Sequence, residues 1–283
     1  MGLEIGLQLF SVRDELEKDF TGTLEKLALI GYKNVELFFH GDDLKATIGN
    51  LEPASLKKEL DRLELKAVSA HIAEEHLEVD KVKEVIEYAR LIGVQSLVIA
   101  IAYFKNKEDV LSFSEKLNKY GALLKTHNLQ LYYHNHFHEF QKFDGDYVLD
   151  LILKNTNENL VKIEFDTYWA LRGGVDPVEY LKKMGGRCDL IHQKDLSTDV
   201  DTINLFQKIE NDTPLNRDSM IKVRNIADFT EAGQGIMDIP SIIETFRNNP
   251  ESKYIFIEQD WTKRNQIESV EISYRYLSKF FSV

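Results

Sequence analysis

The sequence predicts a parallel (β/α)₈ barrel, the TIM-barrel fold. Short β-branched or aromatic runs recur along the whole chain, and longer stretches with helically spaced apolar residues lie between them. Eight such βα units in 283 residues match the ~250 residues typical of this barrel. A doubly wound sheet is the competing fold, but the chain has neither a Gly-x-Gly-x-x-Gly after a strand nor a phosphate loop ending in Gly-Lys-Ser or Gly-Lys-Thr.

The predicted elements follow one another in a regular order. The predicted strands are residues 4–10, 34–39, 66–72, 96–101, 130–135, 162–166, 189–193 and 254–258. Gly31 and Gly93 each follow a helical stretch and precede a strand, as expected of a residue that ends a helix in the left-handed conformation. Asn128 is suited to the same task before the fifth strand, and Asp176 followed by Pro177 is a helix start.

The segment between the seventh and eighth strands is longer than a barrel connection needs. Residues 197–238, approximately, are polar and irregular, and this connection leaves the C-terminal rim, where βα loops build active sites. We interpret it as an extended rim loop that covers or binds substrate. Residues 1–283 are accordingly predicted to form a single domain.

Composition excludes several classes of protein. A hydrophobic content of 43% excludes a disordered chain. Lys and Arg number 35 and Asp and Glu 47, and the resulting net charge of −12 disfavours a nucleic-acid partner. No apolar run approaches the roughly 20 residues of a membrane span. The single cysteine, Cys188, and the lack of a basic then apolar leader after Met1 predict a cytoplasmic protein.

Polar residues close nearly all of the predicted strands, where a purely structural barrel would end in Val, Ile or Leu. These residues are Glu36, His71, His134, Asn135, His136, Glu164, Asp166, His192, Lys194, Asp195, Glu258 and Asp260. Single members have structural explanations: Glu36 and His71 are also compatible with paired core residues, and Asp166 with a turn cap. Glu258 follows Tyr-Ile-Phe-Ile, where an unpaired carboxylate would cost several kcal/mol.

Four of these side chains form a set suited to a divalent cation. His134 and His192 offer imidazole nitrogen, and Asp166 and Glu258 offer carboxylate oxygen. Four neighbouring strands would bring them together at the barrel mouth, although no linear metal-binding motif is present. The sequence therefore predicts a divalent metal cofactor, with Mn²⁺, Mg²⁺, Zn²⁺ and Co²⁺ all open.

Several segments together resemble the signature blocks of the sugar phosphate isomerase/epimerase family, which belongs to the xylose isomerase-like barrels. The resemblance runs from about residue 4 to about residue 278. The segments are IGLQLFSVR at 5–13, YHNH at 133–136, EFDTYW at 164–169, HQKD at 192–195, EAGQG at 231–235 and EQD at 258–260. Relatives in that superfamily include epimerases, isomerases, inosose dehydratases, keto-sugar lyases and the endonuclease IV group, so the resemblance implies the fold more narrowly than the reaction.

The resemblance implies that Asp166, His192 and Glu258 are metal ligands. Many ketose epimerases have a glutamate on the fifth strand, whereas this chain has His134 there, with Glu139 five residues later as the alternative ligand. This departure weakens an epimerase mechanism that needs two carboxylates on opposite faces of the substrate.

The same resemblance implies roles for the remaining polar residues. We expect Glu258 to act as the base and Lys194 as a proton donor or oxyanion partner. A metal neighbour would disfavour the ammonium form of that lysine. The remaining predicted substrate-binding residues, which would contact hydroxyl groups, are Glu36, His71 and His136.

The leading functional prediction is a cytoplasmic, metal-dependent isomerase or epimerase that acts on a sugar through an enediolate. The alternative is a lyase or dehydratase that acts on a keto sugar or inosose with the same metal site. An abasic-site endonuclease and a non-catalytic sugar-binding protein are less favoured. The expected partner is a small carbohydrate, with a homo-oligomer possible. The sugar, its phosphorylation and the metal stay open.

Overall fold

The computed structural model describes residues 2–210 and 213–281, and it confirms the predicted (β/α)₈ barrel. Eight parallel strands close into one barrel in chain order, with the first strand paired to the last. The strands are β1 Glu4–Gln8, β2 Asn34–Phe38, β3 Lys66–Ile72, β4 Ser96–Ile99, β5 Gln130–His134, β6 Val161–Asp166, β7 Cys188–Gln193 and β8 Tyr254–Ile257. Each overlaps its predicted range, and the strands that differ mostly end one or two residues earlier.

Helices surround this barrel. They are α1 Arg13–Lys18, α2 Phe20–Ile30, α3 Pro53–Arg62, α4 Val82–Ile92, α5 Lys107–Lys125, α6 Val148–Asn155, α7 Thr167–Arg172, α8 Pro177–Met184, α9 Arg217–Val223, α10 Ile239–Arg247 and α11 Gln266–Leu277. The predicted boundary residues are confirmed: Gly93 follows α4 with φ of 90°, and Asp176 caps α8 by accepting from the Val178 amide. Within the described residues, no helix has the length and apolarity needed to cross a bilayer.

The barrel interior changes character along its axis. Toward the N-terminal ends of the strands it is filled by a cluster of buried side chains, namely Val68, Val98, Tyr132, Leu190, Tyr254 and Phe256. Toward the C-terminal ends the buried inward residues are imidazoles and carboxylates. Because side chains on a strand alternate between its faces, Leu190 and His192 on β7 belong to these two successive layers.

The connection between β7 and β8 is more regular than the sequence indicates. We call residues 197–238 the rim segment; it contains α9, a 3₁₀ helix at Leu205–Lys208 and a short strand, Phe229–Thr230, paired with Asp195–Leu196. Two buried side chains fasten it. Arg172 donates to Asp228 at 2.7 Å, and Asp195 accepts backbone N–H bonds from Gly233, Gly235 and Met237.

Candidate active site

The polar cluster lies at the C-terminal mouth of the barrel, and strands β5 to β8 supply most of it. Glu164 and Asp166 are two residues apart on β6, so both point inward from one strand face. His192 on β7 and Lys194, directly after the end of that strand, repeat the spacing. Regular strand alternation therefore stacks two levels of site residues, the deeper holding Glu164 and His192 and the outer holding Asp166 and Lys194.

His192 is the centre of this cluster. Its Nδ1 lies 2.8 Å from Glu258 Oε2, and its Nε2 lies 2.6 Å from Glu36 Oε2 and 3.2 Å from Glu164 Oε2. The two ring nitrogens thus have different partners: Nδ1 contacts Glu258, and Nε2 contacts the deeper carboxylates Glu36 and Glu164. Burial lowers the pKa of His192, but the charges of Glu164, Glu258 and Glu36 outweigh that effect and raise it well above its usual value.

The four residues expected to bind metal do meet. His134, Asp166, His192 and Glu258 each offer one ligand atom, and these atoms all lie within 4.8 Å of one another. All four side chains are buried. The Lys194 ammonium contacts both Asp166 and Glu258, so a cationic group already lies against the two carboxylates. Two imidazoles and two carboxylates around a cationic position fit a divalent ion.

Glu139, the alternative ligand from the fifth strand, lies elsewhere. It accepts from the Tyr133 hydroxyl and, at 2.8 Å, from the His136 amide, and it belongs to neither group of side chains close enough to share an ion. His134 Nε2 instead lies 3.8 Å from Asp166 Oδ2. The geometry therefore supports His134 as the ligand from β5.

Glu164 was noted in the sequence as a polar residue near a strand end, but it was assigned no role there. Its Oε2 lies 2.6 Å from His71 Nε2, 3.2 Å from His192 Nε2 and 3.4 Å from His134 Nδ1. Its position two residues before Asp166 was the available signal, since it implies a shared strand face. Burial raises the pKa of Glu164, but the neighbouring imidazoles of His192 and His71 outweigh this and hold it well below its usual value.

The three residues expected to bind substrate hydroxyls separate into two groups. His71 and His136 line the cavity above the cluster. Glu36 is fully buried beneath it, where its oxygens accept from Gln8 at 2.7 Å and Ser69 at 2.6 Å, besides contacting His192. Substrate contact by Glu36 stays a prediction, and its contacts in the structure are with side chains of the barrel.

A cavity of about 360 Å³ opens above the cluster. Besides residues already named, its walls include the rings of Phe10, Phe38, His40 and Trp169, the guanidinium of Arg224 and the carboxylate of Asp260. Arg224 and Trp169 were not identified from the sequence as binding residues. Arg224 comes from the rim segment just after α9, so chain distance hid its relation to the strand ends.

Electrostatics in the outer level depend on burial and on charge pairing. Burial, opposed by Lys194, raises the pKa of Asp166 to about 6. Burial lowers the pKa of His134 to about 3, so this imidazole is neutral and able to bind a cation. Burial disfavours the ammonium form of Lys194, but Asp166, Asp260 and Glu258 outweigh it and raise the pKa. The sequence led us to expect a neutral Lys194, whereas these three carboxylates favour its ammonium form.

The fold and the site together define a (β/α)₈ barrel that carries its polar cluster where enzymes of this architecture place their active sites. A profile of the xylose isomerase-like TIM barrel family matches residues 24–279. The chain therefore belongs to that family, and the predicted resemblance is confirmed.

The chain is similar to proteins named as dehydratases and as isomerases or epimerases. An inosose dehydratase of Clostridium perfringens is 25% identical over 292 residues, covering 93% of this chain and 90% of the relative. A sugar phosphate isomerase/epimerase of Parabacteroides distasonis has 24% identity, a TM-score of 0.78 and 98% coverage of both chains. The IolI protein, solved with a zinc atom, shares the fold at 15% identity, with a TM-score of 0.69 and coverage of 99% of this chain and 100% of that one.

Proposed function

We propose that this protein is a metal-dependent dehydratase that removes water from a cyclic polyol ketone of the inosose type. The observation that carries the proposal is the contact between Lys194 and Glu258, which sets a proton donor beside a proton acceptor. Glu258 lines the cavity, and Lys194 lies buried directly behind it. Similarity to inosose dehydratase over 93% of the chain supports the same class. These observations favour the lyase alternative over the leading expectation of an isomerase or epimerase.

Epimerisation makes a different demand on the site. It needs one group to remove a proton and a second to return it on the opposite face of the carbon. Glu139, the alternative carboxylate from the fifth βα unit, is held by Tyr133 and the His136 backbone. Elimination needs only one base and one acid, and Glu258 with Lys194 provides both.

The proposed metal ligands are His134, Asp166, His192 and Glu258. A divalent ion held there would supply a Lewis acid that polarises a ketone and stabilises negative charge beside it. Mn²⁺, Mg²⁺, Zn²⁺ and Co²⁺ all remain compatible with two imidazoles and two carboxylates. The zinc atom of the IolI structure supports this class of cofactor.

The proton steps belong to two side chains. Glu258 takes a proton from the carbon next to the ketone, and the electron pair of that C–H bond forms a carbon–carbon double bond. Lys194 donates a proton to the hydroxyl on the following carbon, whose C–O bond breaks and releases water. Its raised pKa keeps the ammonium form available for this donation.

The deeper level of the cluster orients these groups. Glu164 lies beside the far nitrogens of His134 and His192, the arrangement in which a carboxylate fixes the tautomer and angle of a metal-binding imidazole. Glu36 contacts the same nitrogen of His192 at 2.6 Å. We assign both carboxylates positioning roles.

The substrate is proposed to be a small, uncharged carbohydrate derivative processed in the cytoplasm by a single-domain enzyme. The net charge of −12 and the carboxylates around the cavity disfavour phosphorylated sugars and nucleic acids. We propose no membrane partner, and a homo-oligomer remains compatible with the fold.

One experiment separates the candidate reactions. Protein loaded with Mn²⁺ is incubated with scyllo-inosose in D₂O, and the products are followed by NMR. We expect loss of one water per substrate, with the reaction stopped by EDTA and absent in Glu258→Gln. Appearance of an epimer or an isomeric ketone without loss of water would support the isomerase prediction instead. An unchanged substrate across a panel of inososes and ketoses would refute both.

A further inference from the structure

One wall of the cavity carries polar atoms that the proposed reaction does not use. Asp260 lies two residues beyond Glu258 and is 6% exposed, and its Oδ2 has no hydrogen-bond partner among the described residues. Arg224 reaches the same wall from the rim segment, and its buried Nε is likewise unpartnered within residues 2–210 and 213–281. Leaving buried polar groups unpaired costs free energy, so such atoms at a cavity wall indicate a ligand that completes them.

The two side chains form a long ion pair and no hydrogen bond with each other. Arg224 Nη2 and Asp260 Oδ2 are 3.9 Å apart, which is too far for a hydrogen bond. A guanidinium only donates and a carboxylate only accepts, whereas a hydroxyl does both. A hydroxyl oxygen that lies about 2 Å to the side of the line between these two atoms is about 2.8 Å from each, so it can accept from Arg224 and donate to Asp260.

The surroundings hold Arg224 in this position. Its guanidinium carbon lies 5.0 Å from the centre of the Trp169 ring, a distance suited to a cation–π contact. The buried pair of Arg172 and Asp228 fastens the rim segment four residues further along the chain. The guanidinium is thus preorganised before a ligand binds, which reduces the entropy lost on binding.

We propose that Arg224 and Asp260 form a hydroxyl-recognition subsite that selects a neutral polyol over an anionic sugar. The inference rests on the proposed function for the ketone chemistry of its ligand. A phosphate or carboxylate group at this position would meet Asp260, with Glu258 on the same cavity wall. A hydroxyl meets a donor and an acceptor instead, so this wall favours unphosphorylated substrates.

The test combines side-chain and substrate changes. Mn²⁺-loaded wild-type protein, Arg224→Met and Asp260→Asn are assayed with scyllo-inosose and with analogues that each lack one hydroxyl. We expect the wild type to lose about 10- to 100-fold in kcat/KM for one deoxy position, as for a hydrogen bond to a charged group. Both variants lose a similar factor with scyllo-inosose, and they no longer discriminate at that position.

Two controls isolate the subsite from the rest of the molecule. Lys222→Gln removes an exposed positive charge from α9, two residues before Arg224, and we expect wild-type kinetics. Mn²⁺ affinity, measured by chelator competition, should be unchanged in both subsite variants because neither residue is a proposed ligand. Variants with intact Mn²⁺ binding that keep the wild-type preference at every hydroxyl would overturn the inference.

Binding of myo-inositol keeps the two proposals distinguishable. If wild-type protein turns over no inosose, the dehydratase proposal fails, and calorimetry with myo-inositol then tests the subsite alone. We expect Arg224→Met and Asp260→Asn each to raise the Kd for myo-inositol about tenfold or more. Equal Kd values in all three proteins, or no binding to the wild type, would refute the subsite.

Discussion

Both ends of the barrel interior bury carboxylates, but the two ends differ in how completely the carboxylate oxygens are paired. At the N-terminal end, Asp189 accepts from the Tyr132 hydroxyl at 2.7 Å and contacts the ammonium groups of Lys162 at 2.5 Å and Lys253 at 2.8 Å. At the C-terminal end, Glu164 Oε1 and Asp260 Oδ2 have no partner in the described part of the chain. Burial alone therefore does not mark a functional carboxylate. Among these carboxylates, incomplete pairing distinguishes the end that carries the proposed site from the end that closes the barrel.

Removing the ammonium group of Lys194, at the C-terminal end, should have the largest effect on activity. Lys194→Met is expected to lower kcat by about 10²- to 10⁴-fold, the usual contribution of a general acid. Mn²⁺ binding should persist, because His134, Asp166, His192 and Glu258 remain. Steady-state kinetics and metal analysis check both points, with Lys194→Arg as the matched variant that keeps the charge. Wild-type kcat in Lys194→Met would assign the proton donation to another group.

Changing the carboxylate at the opposite end should affect stability and leave chemistry intact. Asp189→Asn leaves Lys162 with a weaker partner, and we expect the free energy of unfolding to fall by about 3 kcal/mol. Urea denaturation measures this loss. Mn²⁺ affinity and kcat of the folded protein should match the wild type, and a change in either would break the contrast between the two ends.

Neutralising the deeper carboxylate at the C-terminal end should weaken metal binding. In Glu164→Gln an amide replaces the acceptor beside His134 and His192, and we expect Mn²⁺ affinity to fall about 10- to 100-fold. Spectra of the Co²⁺-loaded protein report ligand geometry independently of turnover. Unchanged affinity and spectra would show that Glu164 only fills space, as the apolar layer below it does.

The smallest expected effect is a dependence of metal affinity on pH. Metal binding requires unprotonated ligands, and the pKa values of Asp166, at about 6, and of His192 are both raised in the free protein. Protons therefore compete with the ion, and Mn²⁺ affinity should increase several-fold per unit as the pH rises from about 5 to about 7. Titrations at fixed ionic strength test this, and an affinity independent of pH would contradict it.

The sequence predicted the barrel well because each strand and helix carries a local signal. The alternation of short β-branched or aromatic runs with helically spaced stretches located all eight strands. Helix-ending residues such as Gly93 indicated several boundaries. The regularity within residues 197–238 was not predicted. It depends on distant partners, such as Asp195 accepting from amides near residue 235, and a local pattern cannot reveal them.

The candidate site was predicted where it follows from strand position. His134, Asp166, His192 and Glu258 all lie within one residue of a strand end, and barrel geometry brings such residues together. Glu164 was noted as a strand-end polar residue but received no role, because a carboxylate one level deeper has the same local signal as a structural one. Arg224 was missed because only the folded rim segment brings it to the cavity.

The origin of Arg224 outside the barrel affects how this protein can diverge. The strands that carry the proposed catalytic residues and the rim segment that carries the proposed recognition group are separate stretches of chain, joined through the buried pair of Arg172 and Asp228. Insertions or deletions between residues 198 and 224 would relocate the guanidinium while leaving the eight strands untouched. Related enzymes can thus acquire new substrate preferences by remodelling one loop, without rebuilding the chemistry beneath it.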